Sequence, residues 1–211
     1  MTNIIEKHDK PFEYSGIVMH LIMAFQFLKL WYMPSFEDAE KIYAMSVLMA
    51  FEFILIHSGV FMAVMPKKIS LFILVPIYGL FAWGFSQSMP DNSILIIYGL
   101  IILNRMRFAF SDVSNAIKNK AILTSVLGAI AYFILIFVCL FTNSIFGEMG
   151  ITSTFLEQSE YFKHVKSGGA FIDTPHIALG FGFFYYSTLA IIQALLLKTK
   201  RLVNSNKIPH A

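Results

Sequence analysis

The feature that most limits how this chain can fold is the recurrence of long apolar runs closed by abrupt polar stops. Six runs, over residues 14–33, 44–65, 69–85, 93–110, 122–146 and 174–197, each lie near the ~17–25 residues that carry a helix across a ~30 Å hydrocarbon layer. Met33-Pro34-Ser35 stops the first, Pro66-Lys67-Lys68 the second, and Ser86-Gln87-Ser88-Met89-Pro90-Asp91 the third. A backbone in lipid must satisfy its N–H and C=O groups within the segment, which leaves the helix as the economical conformation. The expectation is an all-α integral membrane protein, a single polytopic bundle over residues 1–211 with six transmembrane helices. Composition agrees: 57% of residues are hydrophobic and 14% charged, against roughly 45–50% and about 25% in a soluble domain. The single cysteine, Cys139, lies inside an apolar run, so a disulfide scaffold is excluded.

The fourth run is interrupted. Only residues 94–103 are free of strongly polar side chains, before Asn104, Arg105 and Arg107 arrive. Met106, Phe110, Val113 and Ile117 follow at helical spacing, which predicts an amphipathic extension out of the membrane to about Lys118. Pro76 predicts a kink in the third run. The small-residue pairs Gly59/Ala63, Ala178/Gly182 and Ser125/Ala129 predict close helix crossings.

Direction follows from charge. With the N-terminus inside, the inner side receives Lys7, Lys10, Lys67, Lys68, Arg105, Arg107, Lys118, Lys120, Lys198, Lys200, Arg201 and Lys207, which is 12 of the 16 basic residues. Eight of the 13 acids, Glu37, Asp38, Glu40, Asp91, Glu148, Glu157, Glu160 and Asp173, fall outside. Every inner loop is then basic, so both termini are expected in the cytoplasm and the chain in the cell membrane as a multi-pass protein. This placement accounts for the net charge of +3, and nucleic acid is not expected as a partner. The first run is too long for a signal peptide and no small-residue cleavage site follows it.

An ionisable side chain inside hydrocarbon costs at least ~2.5–3.5 kcal/mol, so each one needs a reason. Glu52 stands in the middle of the second run, between Ala50-Phe51 and Phe53-Ile54-Leu55-Ile56. Gln26 and Lys29, three residues apart on the first run, are the expected partners at its depth. The functional reading is a carboxyl group that binds a proton or a cation; the structural reading is a helix–helix bond. His20 and His57 form a second layer, where they could relay protons, ligate haem b or a metal, or bond to backbone or tyrosine.

The outer loop, residues 147–173, exceeds the usual connection. Thr152-Ser153-Thr154 predicts the start of a helix to about Val165 that places Glu157, Glu160 and His164 on one face, and Ser167-Gly168-Gly169 its end. Asp173 and His176 flank Pro175 at the start of the sixth run. With His164 they make an outer carboxylate–imidazole cluster, either solvated or able to bind a divalent cation. Asn104, Arg105 and Arg107 either snorkel to lipid phosphates or bind an anion.

No phosphate-binding glycine loop, nucleophile elbow or zinc-protease motif is present, so nothing indicates an enzyme. Three functional classes remain. The first moves or binds a proton-coupled or cationic small solute through a polar site centred on Glu52. The second is an electron-carrying membrane subunit with haem b or a metal on His20 and His57. The third is a non-catalytic subunit packed in a larger membrane complex. The expected partners are the lipid bilayer and either further copies of the chain or a larger assembly.

Overall fold

The computed structural model describes residues 9–87, 95–96, 99, 115–141 and 147–205. These residues form helices and connections, with no strand among them. Helix α1 spans Asp9–Tyr32, and a single 3-10 turn, Phe36–Asp38, leads into α2, Ala39–Val64. Helix α3 is continuous from Lys67–Ile69 through a π-helical turn, Ser70–Leu74, into Val75–Ser86. Helix α4 spans Asn115–Phe141. Three short helices follow, α5 (Ser153–Gln158), α6 (Tyr161–His164) and α7 (Ala170–Asp173), and the long α8, Pro175–Ser205, closes the order.

Among the described residues, three helices contain segments long and apolar enough to cross a membrane: Glu13–Tyr32, Ile122–Cys139 and Pro175–Lys198. Their outward faces carry large apolar side chains, among them Phe25, Ile134, Phe137 and Ile191, all more than half exposed. Such faces are stable only where lipid or another protein covers them. The shorter Ser70–Ser86 helix is also apolar. Of the fourth run only residues 95, 96 and 99 are described; Asn104, Arg105, Arg107 and the expected extension as far as residue 114 lie outside the described residues, and residues 115–118 belong to α4.

Helix α2 is the central one. From Ile42 to Ile56 it is buried on almost every side, with Ile42, Tyr43, Met49 and Phe51 fully enclosed. A helix that is apolar all round has no solvent face to present, and burial in the middle of a bundle is the stable solution. Helices α1 and α8 pack antiparallel along most of their lengths. The Gly16 position lies against Gln193, and eleven residues further along α1 Phe27 lies against Gly182, eleven residues back along α8. At 1.5 Å per residue that contact runs for about 16 Å. Gly182 makes it possible, because a Cβ there would stand 2.4 Å from the Phe27 ring.

Gly128 seats α4 against Ile56 of α2 and Leu189 of α8, and Ala129 beside it packs against the core. The Gly59 and Ala63 side positions lie outside the described residues. Pro76 sits just after the π turn, in which the Val75 N–H reaches back to Ser70 O. A proline ring clashes with the carbonyl four residues before it, and the wider turn relieves that clash without breaking the helix.

The 147–173 loop folds over one end of the bundle. Trp31 Nε1 donates to Gly147 O at 2.9 Å, and Gly150 N donates to Trp31 O at 3.0 Å, which fasten the loop to the end of α1. Thr152 caps α5, its hydroxyl accepting from Phe155 N at 3.1 Å. The expected helix to Val165 does not continue. Glu160 takes a left-handed conformation (φ 54°) and splits it into α5 and α6. The break turns Tyr161 fully inward, where its hydroxyl donates to Ile172 O at 2.9 Å, while Phe162 stays exposed. Burial of one large tyrosine outweighs the cost of one strained residue, so the expected common face of Glu157, Glu160 and His164 is not formed.

Candidate functional site

Glu52 lies in the middle of the bundle, buried on the central helix. Two consecutive residues of α8 reach it. Tyr185 Oη donates to Glu52 Oε1 at 3.1 Å, and Tyr186 Oη donates to Glu52 Oε2 at 3.3 Å. Neighbouring residues on a helix point about 100° apart, so a carboxyl group facing the line between them takes one hydroxyl on each oxygen. The local sequence supplies this fit: Tyr185-Tyr186 falls one turn beyond Gly182, where α8 approaches α1 most closely.

Aromatic rings close the site. Tyr132 of α4 packs edge-on against Tyr185 (centroids 5.3 Å apart) and Phe181 (4.9 Å), and its own hydroxyl donates to Met49 O at 2.8 Å. Phe27 of α1 stacks on Tyr186 at 5.6 Å. Each carboxyl oxygen of Glu52 thus has a neutral hydroxyl donor from α8.

His20 sits beside this site, buried, its ring 6.0 Å from that of Tyr186. Glu52 and His20 thus both neighbour Tyr186. Lys29 is exposed, and Gln26 and Lys29 line a groove on the outer face of α1 with Phe25 and Lys41. The hydroxyl donors to Glu52 come from α8. The His57 side chain lies outside the described residues.

At the loop end, Asp173 Oδ2 accepts from Gly169 N at 3.2 Å, closing the turn of α7. His176 is half-buried on α8 and His164 is exposed at the end of α6. Among the described residues no three of histidine, cysteine, aspartate and glutamate are grouped so as to hold a metal ion. Burial pushes the Tyr161 phenol in this cap well above its usual range.

The tyrosines are the residues that reading the sequence missed. Tyrosine in a lipid-facing run is expected at the water interface, and nothing in the spacing marks Tyr132, Tyr185 and Tyr186 as core residues. The Tyr185-Tyr186 pair, one turn beyond the small residue Gly182, was the available signal. Comparison with known proteins finds no family model, no curated protein and no solved structure that matches this chain.

Proposed function

We propose that the chain is a six-span protein of the cell membrane, with both termini cytoplasmic, that binds or moves a proton-coupled or cationic small solute at Glu52. The observation that carries the reading is the carboxyl group in the middle of the bundle with a tyrosine hydroxyl on each oxygen. A carboxylate in an apolar interior is stable only when neutral or paired, so its occupancy by proton or cation should respond to conditions.

The topology is supported by where the described helices end. Phe85, near the end of α3, packs on Phe51 and lies close to the 167–172 segment of the loop, so α3 runs towards the loop end. Lys120, near the start of α4, pairs with Glu13 at the far end. The end of α3 and the start of α4 therefore lie at opposite ends of the bundle, and residues 94–103 between them are apolar, as a further span requires. Single cysteines at Ser35 and Gln158 should label from outside only, and at Lys68 and Asn119 from inside only. Reversed labelling at two of these sites would refute the topology.

The function is tested with Glu52→Gln, which keeps the shape and a hydrogen bond but cannot titrate. Wild type should show a melting midpoint that moves with sodium or ammonium ion in a manner dependent on pH between about 5 and 8. The variant should fold and lose that response. A wild type indifferent to pH and to both cations would make Glu52 a structural residue.

A further inference from the structure

Between the far end of the bundle and Glu52, a row of polar side chains occupies the seam between α1 and α8. Glu13, Gly16 and His20 share one face of α1, at spacings of three and four residues. Tyr186 and Gln193, seven apart, share the facing side of α8. Gly16 makes room for the carboxamide: a Cβ there would stand 2.9 Å from Gln193 Oε1. Lys120 of α4 closes the row at the far end, its ammonium on Glu13 Oε1.

Three buried polar atoms in this row have no hydrogen-bond partner: Glu13 Oε2, Gln193 Oε1 and His20 Nδ1. Among the described residues these are the buried side-chain oxygens and nitrogens left unpaired. They lie on one seam, although Gln193 is close enough to the His20 ring to interact with it. Such an atom is costly if left dry. Buried water commonly serves groups of this kind. The carboxylate and amide oxygens accept only, and His20 Nδ1 accepts or donates according to tautomer, which suits water or hydronium.

We propose that this seam holds a file of water that carries protons between the far end of the bundle and Glu52, a role that rests on Glu52 being a titrating site. A proton entering at the Glu13–Lys120 pair passes along water past Gln193 to His20. Tyr186 then gives its hydroxyl proton to Glu52 Oε2 and takes one back from the His20 side, so each group but Glu52 ends as it began. The titratable and charged groups that face the file are Glu13 and His20 of α1, Lys120 of α4, Tyr186 of α8 and Glu52 of α2.

The test uses the full chain in detergent with protons as the only probe. After a rapid pH jump, infrared difference spectroscopy follows the carboxyl band of Glu52, assigned by its loss in Glu52→Gln. Gln193→Leu and Gly16→Ala should slow the appearance of the band at least about tenfold, with the same final amplitude. An unchanged rate with the band present overturns the file and leaves Glu52 as a titrating site. Absence of any titrating Glu52 band overturns both. Hydroxyl-radical labelling of the wild type needs no variant: His20 and Tyr186 should be modified and the dry Phe27 should not. Unlabelled His20 and Tyr186 would overturn the proposal even if a variant failed to fold.

Discussion

Replacing Gly182 with alanine adds one methyl group at the tightest point of the α1–α8 seam. Its Cβ would lie 2.4 Å from both Cδ1 and Cε1 of Phe27 and 2.7 Å from Cγ. Carbon atoms in contact prefer about 3.5–4.0 Å, so the ring must retreat by more than about 1 Å. Phe27 is fully buried and stacked on Tyr186, so it has no free space behind it. Overpacking of this kind costs about 1–3 kcal/mol, against a gain of about 0.5–1 kcal/mol from removing a mid-helix glycine. The central net cost is about 1.3 kcal/mol, which at about 2–4 °C per kcal/mol for a chain of this size lowers the midpoint by about 2.5–5 °C. Gly128→Ala is the internal control. Its Cβ would meet Ile56 Cδ1 at 2.8 Å and Leu189 Cδ2 at 3.1 Å, the free ends of flexible side chains, and the change should be close to neutral. Cys139 is the sole cysteine and fully buried, so a thiol-reactive fluorogenic maleimide reports unfolding without engineering. In a Phe27→Ala background the Gly182→Ala penalty should vanish, since the methyl enters the space the ring has left. An equal penalty in both backgrounds, or a Gly182→Ala protein as stable as wild type, would refute the steric argument.

The cap over the loop end offers three further checks. Gly150→Ala would place a Cβ 2.3 Å from Pro34 Cδ and 2.9 Å from Tyr32 O, which no rotamer can relieve; the Gly150 amide should lose its protection from hydrogen exchange. Tyr161→Phe removes the bond to Ile172 O and leaves that carbonyl unpaired, so local opening of α7 should become easier by about 1–3 kcal/mol in exchange measurements. Because burial raises the folded-state pKa of Tyr161 above the ordinary 10.0, its stabilising contribution is complete below that pH and is lost as pH rises beyond it. Alkaline titration should loosen the wild-type cap from that point upwards, and Tyr161→Phe should flatten that part of the profile.

The helices were legible in the sequence for a simple reason. A backbone in an apolar solvent has few conformations open to it, so run length alone places α1, α2, α3, α4 and α8, although their ends fall one to eight residues from the expected ones because polar turns extend the helices beyond the apolar runs. Contacts between helices are less legible, because shape decides them. Gly128, between Ser125 and Ala129, faces both Ile56 and Leu189, and the spacing of small residues alone did not single it out. In the cap, the Thr152 start could be read, but the break at Glu160 could not. It depends on Tyr161 finding Ile172, a contact eleven residues away that no local propensity encodes.

The same distinction explains the site. Glu52 stands out because charge in hydrocarbon is costly wherever it is placed, which makes it visible without a fold. Its partners are not visible in that way. Lys29 and Gln26 match its depth and chemistry, but depth is one coordinate and rotation about the helix is another. The helical period turns Phe27 and Leu30 inward and Lys29 outward to the groove with Lys41. Tyr185 and Tyr186 have lower cost in lipid than a lysine and so raise no alarm in a sequence, yet they are the hydroxyls a buried carboxyl group can use without a counter-charge. A lysine partner would add a full counter-charge beside Glu52, whereas two hydroxyl donors add none, and that difference is what the proposed proton or cation site relies on.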